Sequence, residues 1–330
     1  MDFGEIPVAR AIGAILAHSV RTPEVRLRKG LTLGEDHIAQ LTVAGVASVV
    51  VARPGPGDVH EDAAATRLAD ALIGDDPAAS GLRASKAATG RVNLYSTVRG
   101  VVRIDRAAVN AINGMDPSIT VATVPEWHHT AEGGMVATIK IIPYATPGAA
   151  LAQAETVAQG AIAMAPTALS TVTLIQTTTS GDDGAKGDRA VAGRMATLGL
   201  TMGDKVLVAH DEAPLAAALK GAGGDLLLIL TASATSDIRD VGPMAVVRAG
   251  GHVHRYGMPV DPGNLLFIGD LGGRPVIGLP GCARSPALNG ADWVLQRVVC
   301  GIAITDADIA AMGVGGLLKE IPTRPRPREG

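Results

Sequence analysis

Residues Leu226-Leu227-Leu228-Ile229-Leu230 form an uninterrupted apolar run, entered from Asp225 and left through Thr231. A run of that length is strand-sized, and a strand apolar at every position has no side to show to water. It belongs inside a sheet covered on both faces. Its neighbours agree: Val172-Thr173-Leu174-Ile175-Gln176 and Lys205 to Ala209 read as strands, while Arg189 to Leu198 and Pro214 to Leu219 read as helices. Strands Val253 to Tyr256, Leu265 to Ile268 and Val276 to Ile277, with a helix over Leu288 to Val299, complete the alternation. Strands separated by helices indicate a parallel sheet. The expected fold is therefore α/β, a three-layer, mostly parallel sheet with an N-terminal mixed α+β region.

Punctuation divides the rest. Pro54-Gly55-Pro56-Gly57 closes a β-rich segment over 1–57, in which Ile38 and Leu41 share one helical face and Gly45 is a stop. Residues 58–150 read as an α+β accessory region, with a helix over Glu61 to Leu72 and a strand over Met135 to Ile142. Thr146-Pro147-Gly148 opens an Ala/Gln/Glu-rich stretch expected as a connector helix over 151–167. The α/β domain takes 168–303, and 304–330 is a tail, Pro/Arg-rich from Ile321 onward.

Composition excludes several classes. With 29 basic against 32 acidic residues and 2% aromatics, the chain has neither a polyanion-binding excess nor base-stacking platforms, so no nucleic-acid partner is expected. Cys282 and Cys300, the two cysteines, build no disulfide framework and no CxxC site. No apolar stretch reaches the roughly 18 residues of a membrane span, and Met1-Asp2-Phe3-Gly4-Glu5 lacks a secretory pattern. A cytoplasmic protein with no membrane partner is the expectation.

Ligands of open parallel sheets bind outside the carboxyl ends of strands. The loop after Leu230 therefore comes first: Thr231-Ala232-Ser233-Ala234-Thr235-Ser236-Asp237-Ile238-Arg239-Asp240-Val241. Thr231, Ser233, Thr235 and Ser236, with backbone N–H groups, suit phosphate. Asp237 and Asp240 are hard oxygen ligands suited to Mg²⁺, and Arg239 would fork onto a phosphate or pair with either Asp. The same residues also read as a Ser/Thr-rich turn with a helix cap. A second loop, Gly278-Leu279-Pro280-Gly281-Cys282-Ala283-Arg284-Ser285-Pro286, offers Arg284 and Ser285 to an anion, or is merely a tight turn. Cys282 reads as a small buried thiol. A third loop, Thr179 to Asp188, fails both GxxxxGK[ST] and GxGxxG, and faces either the ligand edge or solvent. His252 and His254 share a strand face that could place two imidazoles on a metal, but with no third ligand evident they read as a surface pair, and Trp127-His128-His129 reads as a contact patch or, more simply, as structural filling. Spacing supports no Ser/His/Asp triad.

Three stretches of the second half resemble the molybdopterin-binding superfamily of molybdopterin adenylyltransferases and molybdenumtransferases. Leu230-Thr231 followed by Arg239-Asp240-Val241 is similar to its Thr-Gly-Gly-Thr-Gly loop and the following Arg-Asp-Val-Thr. Pro262-Gly263-Asn264 resembles its Pro-Gly-Lys-Pro-Leu segment, and Gly273 to Gly281 its lead-in strand and Gly-Leu-Pro-Gly motif. Arg28-Lys29-Gly30 and Leu41 to Gly45 carry a fainter likeness. The resemblance covers about 168–300 well, 26–57 weakly, and 58–150 not at all. Ala232-Ser233-Ala234-Thr235 stands where the superfamily has Gly-Gly-Thr-Gly, each added Cβ narrowing backbone approach to a ligand.

The resemblance implies a protein of molybdenum cofactor biosynthesis, a molybdenumtransferase-like transferase if active. It would handle molybdopterin or its adenylylated form during metal insertion, with molybdate and a nucleotide as further partners. Asp237 and Asp240 would be catalytic and hold Mg²⁺. Thr231, Ser233, Thr235, Ser236, Arg239, Pro280, Gly281, Arg284 and Ser285 would bind the cofactor. It also implies a homo-oligomer and contact with a molybdoenzyme or another assembly protein. A non-catalytic cofactor-binding and delivery protein is the alternative, with 58–150 as its docking surface.

Overall fold

The computed structural model describes residues 1–179 and 181–318. Ser180 of the third loop and the Pro/Arg-rich stretch from Ile321 lie outside the described residues. The chain divides into two compact units, Met1–Val98 with Val102–Met164, and Arg99–Val101 with Ala165–Gly330. No helix among the described residues is long and apolar enough to cross a membrane.

In the first unit, strand Ser48–Arg53 pairs antiparallel with Asp2–Pro7 and Ile15–Leu16. Leu16, Leu33, Leu41, Val49 and Val51 bury a small core there, Leu41 coming from helix Glu35–Val43. A four-stranded antiparallel sheet runs Ile119–Thr123, Met135–Ile141, Arg91–Ser96, Leu82–Ala84. Leu68 and Leu72 of helix Glu61–Ile73, Ile112 of Arg106–Met115 and Leu151 of Gly148–Ala158 bury against Leu94, Ile139 and Ile141 of that sheet. Residues 1–57 and 58–150, apart from Arg99–Val101, fall in one unit. The helix read over 151–167 ends at Ala158, and Ile162–Pro166 is a strand.

The second unit is built on the apolar strand. Leu226–Leu230 pairs in parallel with Thr171–Thr178 on one side and Arg274–Gly278 on the other. Thr171–Thr178 also pairs in parallel with Thr201–Met202 and Val206–Ala209. All five residues from Leu226 to Leu230 are fully buried, each leucine contributing about 2 kcal/mol. Alternation along the strand sends Leu227 and Ile229 to a cluster with Leu215 and Leu219 of helix Glu212–Gly221 and Val246 of Val241–Ala249. Leu230 meets helix Ala185–Leu198 instead, where a Cβ on Gly187 would lie 2.6 Å from its Cδ2.

The seven-stranded sheet is mixed. Arg274–Gly278 pairs antiparallel with Phe267–Leu271, which pairs antiparallel with His252–Tyr256. The cause is local. Gly272 and Gly273 join Leu271 to Arg274 with φ of +60° and +77°, the two-residue left-handed turn that closes a hairpin.

Candidate functional site

Parallel register gathers the carboxyl ends of four strands. Gln176 pairs with Leu230, Thr177 with Val208, and Ile229 with Gly278. The Thr231 loop, His210 after Val206–Ala209, Thr177, and the Leu279-Pro280 loop therefore share one edge, where parallel sheets hold ligands.

Within the first loop, Thr231 and Thr235 are buried and work internally. The Thr231 hydroxyl donates to the Ser233 carbonyl at 2.7 Å and lies 3.4 Å from Thr235 Oγ1. The Tyr256 hydroxyl donates to the Thr235 carbonyl at 2.9 Å. Ser233 is exposed, and its Oγ lies 2.9 Å from His210 Nε2. His210 Nδ1 lies 2.9 Å from Thr177 Oγ1, which accepts the Ala232 N–H at 2.8 Å. Among the described residues, the backbone N–H groups of Ser233, Ala234 and Thr235 have no acceptor. Three consecutive N–H groups without an acceptor among the described residues, beside an exposed hydroxyl, are the kind of donors that a backbone anion site uses.

The two carboxylates are occupied locally. Asp237 Oδ1 accepts from Arg239 Nε at 2.9 Å and from the Arg239 N–H at 2.8 Å, and Arg239 holds its pKa below the usual carboxylate range. Both side chains are exposed, so the pair contributes little to stability. Asp240 Oδ2 accepts the Ser236 N–H at 3.0 Å, and Oδ1 accepts the Val241 N–H at 2.8 Å, capping helix Val241–Ala249. The Ser236 N–H leads the causes that lower its pKa. No group of three or more His, Cys, Asp or Glu placed to hold a metal exists among the described residues. We derive no step through Mg²⁺.

In the second loop, Pro280 is buried and Gly281–Arg284 is a short 3-10 turn in which Cys282 is half-buried. Arg284 Nη2 donates to the Thr231 carbonyl at 2.7 Å, tying the two loops together. Ser285 Oγ accepts the Ala287 N–H at 3.3 Å. Arg194 holds this loop: it pairs with Asp292 at 2.6 Å and donates to the carbonyls of Ala283, Ser285 and Ala287 at 2.9, 2.7 and 2.9 Å. In the third loop, Asp182 and Asp183 accept the N–H groups of Gly184 and Ala185, and buried Gln176 donates to the Gly184 carbonyl. His254 pairs with Asp270 at 2.8 Å. Trp127, His128 and His129 belong to the first unit.

His210 and Thr177 are the residues that the sequence reading passed over. The rule that singled out Thr231 would also have found His210, the first residue beyond its strand.

A protein-family model described as "Domain of unknown function (DUF8806)" matches residues 5–53. No curated protein matches the chain. Among solved structures, the molybdopterin biosynthesis MoeA protein from Pyrococcus horikosii is 16% identical, with 85% of this chain and 70% of that one covered and a TM-score of 0.26. A molybdenum cofactor biosynthesis protein from Pyrococcus furiosus is 12% identical, with 94% of this chain and 65% of that one covered and a TM-score of 0.22.

Proposed function

We propose that this chain binds a phosphate-bearing pterin, molybdopterin or its adenylylated form, and serves molybdenum cofactor biosynthesis at the metal-insertion stage. The observation that carries the reading is the run of bare N–H groups at Ser233, Ala234 and Thr235, beside the exposed Ser233 hydroxyl at the carboxyl edge of the sheet. The Arg284–Thr231 bond supports it, joining this loop to the one that follows the Gly273–Gly281 stretch, two regions of the resemblance to the molybdopterin-binding superfamily. In this reading the phosphate lies against residues 233–236 and the remainder of the ligand extends toward Gly281 to Ser285. Catalysis would consist of positioning and charge neutralisation. Asp240 serves by fixing the loop to its helix, and Asp237 by orienting Arg239 toward the anion.

The delivery reading has its own support, since Ala232 and Ala234 crowd a loop where glycine would admit a closer ligand. One incubation separates the two. With molybdopterin, molybdate and Mg-ATP, an enzyme releases more product than protein present, whereas a carrier retains about one equivalent. A pterin lacking its phosphate should bind weakly in either case; equal affinity would remove the phosphate from this loop.

A further inference from the structure

The Thr177–His210–Ser233 contacts form a row whose direction is set by the His210 tautomer. Thr177 Oγ1 accepts the Ala232 N–H and keeps its own proton to give to His210 Nδ1, 2.9 Å away, when the ring is unprotonated there. A neutral imidazole that accepts at Nδ1 carries its proton at Nε2. In that tautomer Nε2–H donates to Ser233 Oγ across 2.9 Å. The Ser233 proton is left with no acceptor among the described residues, and it stands beside the bare N–H groups of residues 233, 234 and 235.

We infer that His210 and Thr177 are positioning residues that fix the Ser233 hydroxyl as an outward donor, making a four-donor cradle for the unprotonated oxygens of a phosphoryl group. Each bond in the row polarises the next, so the terminal hydroxyl is a stronger donor than an isolated serine. The same polarity opposes a nucleophilic Ser233, which would need a lone pair on Nε2 to take its proton. Asp240 and Asp237, the carboxylates of this loop, do not compete for the cradle, being held by Ser236 and Val241 and by Arg239. The neighbouring Asp211 carboxylate accepts the Ala213 N–H.

The inference rests on the reading that the ligand's phosphate occupies this loop, and it is tested with inorganic phosphate as the probe. On full-length protein with ¹⁵N-labelled histidine at pH 8.5, His210 should show the Nε2–H tautomer. Thr177→Val, which keeps the shape and removes the hydroxyl, should mix the tautomers and weaken phosphate binding about tenfold. Thr177→Ser should restore both. Should Thr177→Val fail to fold, His210→Leu on the accessible side of the relay should lose about tenfold while His210→Gln, which retains a donor, loses less. A fluorophosphonate probe should leave Ser233 unlabelled. An Nδ1–H tautomer, phosphate affinity unmoved by every variant, or labelled Ser233 would overturn the assignment. Phosphate bound with the expected tautomer but no pterin bound sinks the functional reading alone. Pterin bound with the opposite tautomer sinks only the relay.

Discussion

Arg284 Nη2 donates to the carbonyl oxygen of Thr231 across 2.7 Å, joining the ends of two neighbouring parallel strands through one guanidinium. An arginine that sequence alone offers to a ligand is therefore in part a structural tie. Arg194 completes the arrangement by holding the carbonyls on either side of Arg284.

Replacing Arg284 by Met keeps the stem and removes the donors. A hydrogen bond from a charged group contributes about 2 kcal/mol, so urea denaturation should report a loss of that order. Phosphate affinity should fall as well, because Thr231 anchors the loop. Unchanged stability would show that the tie is not made in solution.

Arg194→Met should cost more. The Arg194–Asp292 pair is nearly buried, with side chains 9% and 13% exposed, and three loop carbonyls would lose their donor. Breaking one side of such a pair costs about 3 kcal/mol. Arg194→Lys should recover only part, since an ammonium cannot span the same acceptors. Chemical denaturation of the three proteins checks the order.

Gly278 tests whether a motif glycine serves the ligand or the core. A Cβ there would lie 1.9 Å from Phe267 Cε1, on the paired antiparallel strand. Gly278→Ala should therefore destabilise by about 2 kcal/mol through overpacking. Adding Phe267→Leu should recover part of that loss. A double variant that is simply additive would exclude direct coupling.

Acid should loosen the unit in a defined sense. Asp225 lies below its ordinary pKa because it accepts the N–H groups of Ser170 and Thr171, and Asp240 because it accepts that of Ser236. Their contribution is fully present above the unfolded carboxylate value and disappears as pH falls through the lower folded values. Stability should be flat from neutrality to about pH 5 and then decline. Asp240→Ala should cost about 1 kcal/mol as a lost helix cap, while Asp240→Asn keeps most of it. Denaturation midpoints against pH are the readout.

Much of the second unit was legible because its signals are local. Leu226–Leu230 can only be an interior strand, and the turns around it fall at glycines and prolines. The antiparallel edge was missed although Gly272-Gly273 announced it, because Phe267–Leu271 is apolar enough to pass for another parallel strand. The connector helix stopped short for a similar reason: Ile162–Pro166 continues an apolar composition that does not distinguish helix from strand. At the site, the hydroxyl loop could be read as a place but not as a geometry. Ser233, His210 and Thr177 lie far apart in sequence, and only the parallel register brings them to one edge. Sequence shows the carboxylates of Asp237 and Asp240 but not the N–H groups of Arg239, Ser236 and Val241 that they accept, which only the folded loop supplies.

The central claim is that a pterin phosphate is received by Ser233 and the N–H groups that follow it. Calorimetric titration of the full chain with molybdopterin tests this most directly, with Ser233→Ala run alongside. Saturable binding at one site per chain, weakened about tenfold in the variant, is the predicted result. No heat from folded protein, or the same affinity in both, would contradict it.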